Sequence, residues 1–412
     1  MLFFSIINLI LSFYAFLLEY RKNSIVILFW GCSIFFVGLP LLIDVVSLKL
    51  DKDNELELYL QLQDINHVYD FNNTDMLYMS SFIFLVNLFL FIGTKLVNNS
   101  KKEFKIPNNH QFEYMMVIFN YISLIVLLLN FKGQWFATNF EKESNIFYQI
   151  SSLLICLFTS ASLTLALSGK KKIALVNLFP TIFISFVLSE RPYLAPAIGV
   201  IFIYFASMGK KISNLINLLL IGLVSIFLMR FVRYVANGDK GFNLFDILFS
   251  RDSATSVLYY IFQNTEYYYS LTTGKATIFL ISTGLVPSFL LGVRDFSIVD
   301  IPSMLAFDRF GWTFGTIHPT MYGWLFVDLG WLSLLFAFFL GLILSSLNSL
   351  FATLSLRLFS IYLASITIFI FVGMRGSLQV GYSKSIYILI FGLIFYYFYK
   401  FLVIKYPRLN RG

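Results

Sequence analysis

The sequence predicts an all-α polytopic integral membrane protein, a single transmembrane domain over residues 1–412 with about 11 spanning helices. Hydrophobic residues make up 58% of the 412 positions, and the mean hydropathy is +0.79. Only 13% of residues are charged, far below the share in a soluble domain. Apolar runs of about 17–25 residues recur, the length that crosses a bilayer as a helix. The period-2 pattern of a barrel is absent, and in lipid the backbone must satisfy its own polar groups, so the spans are predicted to be helices.

The apolar runs place these helices in order along the chain. Residues 2–18 are predicted to be a retained span, because neither a basic leader nor a small-residue cleavage site accompanies them. The predicted spans are 2–18, 24–48, 76–97, 113–131, 147–168, 173–188, 193–208, 212–231, 320–345, 358–374 and 385–404.

The charges between the spans predict their orientation. The links after odd-numbered spans are short and basic, as is the tail after residue 404, so they are expected to face the cytoplasm. This arrangement places the N-terminus outside and the C-terminus inside. The first outer loop, 49–75, is acidic, with seven Asp or Glu residues against two Lys.

One long region, 232–319, interrupts the spans and is predicted to form the main outer loop. Within it, residues 276–292 are apolar but short, and Gly284 and Pro287 interrupt them. A full span there would move the basic C-terminal tail to the outside. We therefore expect this segment to be re-entrant or to lie at the membrane interface.

Most arginines lie on the predicted outer side, although basic residues are expected to be enriched on the cytoplasmic side. Seven of the eleven arginines fall on the predicted outer side: Arg191, Arg230, Arg233, Arg251, Arg294, Arg309 and Arg375. The planar guanidinium binds phosphate or carboxylate through two hydrogen bonds, whereas lysine offers a point charge. This asymmetry predicts a site for an anionic group. The alternative is that these arginines contact lipid headgroups and pair with Asp239, Asp252, Asp295 and Asp308.

Arg191 occupies a tight outer turn, Ser189 to Pro192, between two short spans. Spans of about 16 residues reach only about 24 Å, so the turn is expected to lie below the headgroup plane. An ionisable residue at that depth is by default a candidate for function. The alternative is that Glu190 and Arg191 pair to cap the turn.

Aromatic side chains in the outer loop can stack on a sugar ring while their polar atoms bond its hydroxyls. Trp312, Tyr259 and Tyr267 are the candidates, although an interfacial aromatic belt requires the same residue types.

His318 is the only histidine of the main outer loop and directly precedes a span. Its unperturbed pKa near neutrality suits a general base for a hydroxyl, while the alternative is a hydrogen-bonded structural histidine.

The segment around His318 resembles a hallmark of the O-antigen polymerase and ligase superfamily. The similar residues are His318-Pro319-Thr320-Met321-Tyr322, then Asp328-Leu329-Gly330-Trp331 and an apolar span ending near Gly341. The layout is similar as well, with ten or more spans, an arginine-bearing turn between short spans and one dominant outer loop.

The resemblance implies glycosyl transfer at the periplasmic face of the bacterial inner membrane. An O-antigen or capsular polysaccharide polymerase would move the growing glycan from undecaprenyl pyrophosphate to another lipid-linked repeat unit. The implied base is His318, and the implied pyrophosphate ligands are Arg191, Arg251, Arg233, Arg294 and Arg230. It implies no metal and no cofactor. The expected partners are the lipid-linked oligosaccharide, membrane lipids and a chain-length regulator, with no nucleic acid.

Two other functions remain open from the sequence. An O-antigen ligase of the same superfamily would transfer the finished glycan to a lipid acceptor. A flippase or other transporter of lipid-linked oligosaccharides would also need many spans, but transporters tend to place charges near the bilayer midplane. Here most spans are almost free of charge.

Overall fold

The computed structural model describes residues 1–42, 73–97, 104–131, 146–187, 191–209, 254–283, 300–311, 317–376 and 378–405. Every regular element within these ranges is helical. The predicted span 212–231 lies outside them, as does the predicted acidic loop as far as residue 72.

Sixteen helices are described, and two short 3₁₀ turns, Arg191–Tyr193 and Gly330–Leu332, lie between them. In chain order the helices are α1 (Leu2–Arg21), α2 (Ile27–Ser33, continuing into a π-helical turn, Ile34–Gly38), α3 (Asn73–Leu96), α4 (Gln111–Leu129), α5 (Ile146–Thr159), α6 (Ala161–Leu167), α7 (Lys171–Val187), α8 (Leu194–Ser207), α9 (Ala254–Gln263), α10 (Thr265–Tyr268), α11 (Lys275–Thr283), α12 (Ile301–Phe310), α13 (Thr320–Leu329), α14 (Ser333–Leu354), α15 (Leu356–Arg375) and α16 (Leu378–Lys405).

Seven helical stretches in the described residues are long and apolar enough to cross a membrane. They are Leu2–Arg21, Thr74–Leu96, Gln111–Leu129, Ile146–Leu167, Thr320–Thr353, Leu356–Arg375 and Leu378–Lys405. Two shorter apolar helices, Ile27–Leu42 and Leu194–Ser207, accompany them. The helical class is therefore confirmed, and the long apolar helices are those that a polytopic membrane protein requires.

Two ends of the bundle are fixed by different contacts. At one end Arg357, in the first turn of α15, holds Glu113 of α4 at 2.7 Å and lies over the rings of Phe112 and Tyr399. At the opposite end of α15, Gly376 contacts Pro319 and Thr320 at the start of α13. We name these the Arg357 end and the His318 end.

Helices α3 and α14 pack with their backbones in close contact. A Cβ on Gly93 would lie 2.1 Å from the carbonyl oxygen of Phe338, and one on Gly341 would lie 2.2 Å from that of Leu90. Small residues allow this approach in membrane helices, where van der Waals packing holds helix pairs together.

The variant Gly341→Ala should therefore destabilise the protein by about 1–3 kcal/mol, because the added methyl group meets backbone that cannot rotate away. A lowered midpoint of thermal unfolding in detergent would report the change. Gly31→Ala is the matched control, since the nearest atom to its new methyl is Phe16 Cε2 at 3.5 Å. Equal midpoints for the two variants would contradict the close contact of α3 and α14.

Candidate active site

His318 is held where the chain leading into α13 crosses the α15–α16 turn. Gly376 has φ +118°, and a Cβ there would lie 2.5 Å from the Thr320 nitrogen and 2.7 Å from that of Pro319. Only glycine fits this backbone-to-backbone contact. The contact brings together His318 and Arg375, two residues that the sequence had assigned separately to the outer side.

The surroundings of His318 favour its neutral form. Burial, together with the nearby positive charge of Arg375, lowers the pKa of the imidazole to about 4. At physiological pH the ring is therefore uncharged and carries a lone pair. Its Nδ1 atom is buried and has no hydrogen-bond partner among the described residues.

Helix α13 begins at Thr320, two residues after His318, with Pro319 between them. No side chain caps it within the described structure, so the positive end of the helix dipole is directed at this site. Thr320 has φ +61°, an unusual conformation for a β-branched residue. Its hydroxyl is buried and has no described partner. A helix N-terminus, an unpartnered hydroxyl and Arg375 together favour an anionic group beside His318.

A polar network inside the bundle anchors the first turn of α13. The Tyr322 hydroxyl donates to Asn87 Oδ1 at 2.8 Å and lies 2.9 Å from the Ser33 hydroxyl. Asn87 in turn donates to Asn8 Oδ1 at 2.8 Å. All four side chains are fully buried, so α1, α2, α3 and α13 are tied together by bonds that lipid cannot replace.

Asp328, the acidic residue of the predicted motif, caps another helix. Its carboxylate accepts hydrogen bonds from the Ala276 and Thr277 backbone N–H groups at 3.0 and 2.8 Å, which lie in the first turn of α11. It also accepts from the hydroxyls of Thr272 and Thr277. Asp328 is fully buried. Its place in the structure is thus that of an anchor for the described part of the predicted re-entrant segment.

The predicted span 320–345 lies within the long apolar stretch Thr320–Thr353, but its helix is interrupted at Gly330 (φ +54°, ψ −130°), which the sequence did not predict. A Cβ on Gly330 would lie 2.7 Å from the Tyr269 ring. The carbonyls of Phe326, Val327 and Asp328 in the last turn of α13 accept from the backbone N–H groups of Ser270, Thr272 and Gly274, and Phe326 also accepts from Gly330. The chain ahead of α11 therefore completes the C-terminus of α13 and stabilises the break.

Several predicted ligands fall outside the described residues. These are Arg230, Arg233, Arg251, Arg294 and Trp312. Arg191 opens the 3₁₀ turn Arg191–Tyr193, which packs against α7, α8 and α15, and its side chain is not described.

The two tyrosines predicted to contact glycan differ in their exposure. Tyr259 is 7% exposed and belongs to the core of α9. Tyr267 is 56% exposed and packs edge-on against Tyr268. Tyr268 donates to Asp308, and burial raises the pKa of its phenol. Of the two predicted tyrosines, Tyr267 therefore offers the open ring face.

Lys384 is a residue that the sequence analysis missed. It lies in the second turn of α16, and its ammonium is 5.2 Å from the centre of the Tyr193 ring. The predicted span began at residue 385, so Lys384 was counted with the loop ahead of it. The available signal was a lysine followed by fifteen uncharged residues, which places its charge at the start of a long apolar run.

No protein-family model, no curated protein and no solved structure matches this chain.

Proposed function

We propose that the protein is a membrane glycosyltransferase, an O-antigen or capsular polysaccharide polymerase. It would act on undecaprenyl-pyrophosphate-linked oligosaccharide at the periplasmic face of the bacterial inner membrane. The observation that carries this proposal is a neutral, half-buried His318 beside Arg375 at the uncapped N-terminus of α13. A base next to a region that favours anions is what this transfer requires.

The reaction exchanges one bond for another at the anomeric carbon of the growing glycan. The bond from that carbon to the pyrophosphate oxygen breaks, and the pyrophosphate leaves with the electron pair. The acceptor hydroxyl on the next lipid-linked repeat unit forms the new bond. His318 takes the proton of that hydroxyl as the bond forms.

Charge at the site supports the departure of pyrophosphate. Positive groups placed in advance where negative charge develops are often the largest contribution to catalysis. The α13 N-terminus and Arg375 are such groups within the described structure. We assign the same role to the ligands implied by the family resemblance, which are Arg191, Arg251, Arg233, Arg294 and Arg230.

Substrate binding would also adjust the base. A bound pyrophosphate offsets the positive charge of Arg375, and a nearby anion raises the pKa of an imidazole. The pKa of His318 would then move from about 4 toward the range in which general bases work well. In this arrangement the base becomes effective when the donor is present.

A lipid-linked oligosaccharide carrier is the competing function, and the helix break at Gly330 is the observation that favours it. Discontinuous helices in transporters direct their open ends at substrate near the membrane midplane. Here the backbone N–H groups of Ser270, Thr272 and Gly274 donate hydrogen bonds to the three carbonyls that precede the break, those of residues 326–328. An end already bonded to its own chain offers no ligands to a transported group, which favours the polymerase.

The test is reconstitution of the purified full-length protein in liposomes with its lipid-linked repeat unit. A polymerase yields a ladder of products that differ by one repeat, read on a gel after release of the glycan. Movement of the lipid-linked unit between leaflets without a ladder would establish the carrier instead. Addition of a lipid A-core acceptor serves as the ligase arm, because a ligase transfers glycan to it and builds no ladder.

A further inference from the structure

Lys384 places a positive charge inside an apolar helix, directed at the protein. The residue is half-buried, and its ammonium lies over the ring of Tyr193, which is only 4% exposed. Tyr193 is fixed in turn, because its hydroxyl donates to Ser152 of α5 at 2.9 Å. Helix α16 itself also packs against α5. Lys384 therefore faces the junction of α16, α5 and the 3₁₀ turn.

The helices around this junction supply no opposite charge. Neither α5, α8, α15, α16 nor the 3₁₀ turn contains an Asp or Glu residue. An aromatic ring attracts a cation through its quadrupole, but it neutralises no charge. Ionisable side chains within membrane helices are expensive, and they usually mark a functional partner.

The place of Lys384 indicates what that partner is. The ring that it contacts belongs to the turn that begins at Arg191, a predicted pyrophosphate ligand, and this turn packs against α15. Helix α15 ends at Arg375, beside His318. The positive side chains Lys384 and Arg375 thus lie on adjoining elements at the His318 end, with an apolar helix surface next to them.

We propose that Lys384, over the Tyr193 ring, binds the phosphate of a membrane lipid that enters at the His318 end of the bundle. An ammonium supplies three charged donors to phosphate oxygens, and the apolar residues of α16 continue into the region of the lipid tail. That this lipid is the polyprenyl donor rests on the proposed function. A phosphate on an ordinary phospholipid has the same recognition chemistry.

The test compares Lys384→Met with Lys400→Met in the detergent-solubilised full-length protein. Lys400 is a matched control, because it also lies on α16 over a ring, that of Tyr396 at 5.0 Å, but near the opposite end of the helix. Binding of undecaprenyl phosphate and, separately, of phosphatidylglycerol is titrated by native mass spectrometry. We expect Lys384→Met to weaken binding of at least one lipid about 10-fold or more, as loss of a charge-assisted hydrogen bond does. Lys400→Met should change it less than about 2-fold.

The experiment can contradict the lipid site at Lys384 and the proposed polymerase activity independently of each other. The lipid with the larger loss identifies the source of the phosphate. The proposal would be overturned if Lys384→Met bound each lipid as tightly as the wild type does. It would also be overturned if Lys400→Met lost as much affinity as Lys384→Met. If Lys384→Met does not fold, Lys384→Gln is measured in its place with the same criteria. Binding that depends on Lys384 without a glycan ladder would contradict the polymerase and leave this site intact.

Discussion

Replacing His318 with glutamine should abolish glycan elongation while leaving the protein folded in the membrane. Glutamine keeps a polar side chain of similar size but cannot accept the acceptor's proton at neutral pH. General-base catalysis contributes about 10²–10⁴-fold to rate, so the ladder should collapse to single repeat units. The measurement is the initial rate of repeat addition in the liposome assay, with thermal unfolding as the check on folding.

The control for this variant is a histidine at the other end of the bundle. His110 Nδ1 lies 3.9 Å from Glu113 Oε2 at the Arg357 end, far from the proposed chemistry. His110→Gln should therefore elongate at close to the wild-type rate. Wild-type ladders from His318→Gln would remove the base from the proposed mechanism, even if the polymerase activity itself were established.

The pH profile gives a second signature of the same residue. The profile of kcat/KM reports the pKa values of the free enzyme, and burial together with Arg375 lowers the pKa of His318 to about 4. Protonation removes the lone pair, so the rate should stay level from neutral pH to about pH 5 and fall as pH decreases through that pKa. If kcat/KM instead fell around the ordinary pKa of histidine, that result would contradict the buried position of His318.

The helices could be predicted from the sequence because their signal is local. Runs such as Leu356–Arg375 and Gln111–Leu129 are apolar over most of the length of a bilayer, and their described bounds lie within a few residues of the predicted ones. The break at Gly330 could not be predicted in this way. Glycine is common in membrane helices, and this break depends on Tyr269 and the 270–274 segment, which lie far away in sequence.

In the candidate site, too, the sequence identified single residues but not the contacts between residues that lie far apart in the chain. His318 and Arg375 were both recognised from residue type and predicted orientation. Their proximity depends on Gly376, whose missing side chain lets one backbone lie on the other. Nothing in the local sequence indicates that contact. Asp328 was recognised only as part of a motif, and its role as a helix cap emerges from donors on Thr272, Ala276 and Thr277.

Replacing Asp328 with alanine should cause the largest loss of stability among the variants considered. Four hydrogen bonds to a fully buried carboxylate disappear, and their donors in and just before the first turn of α11 lose their partner. A buried donor left unpaired costs about 1–3 kcal/mol, so several together predict a loss of about 3–5 kcal/mol. The measurements are the thermal unfolding midpoint in detergent and the rate of proteolysis within residues 270–283.

The exposed carboxylate of Asp308 provides the control, since it accepts one described side-chain bond, from Tyr268 at 3.1 Å. Asp308→Ala should lower the midpoint far less, because water can replace the carboxylate there.

The unfolding midpoint of Asp328→Asn should lie between those of wild type and Asp328→Ala. The amide keeps one acceptor oxygen but directs an NH₂ group at other donors. If Asp328→Ala unfolds at the wild-type temperature yet loses elongation, the carboxylate serves substrate and not α11. That result would move Asp328 from the scaffold of the site into its chemistry.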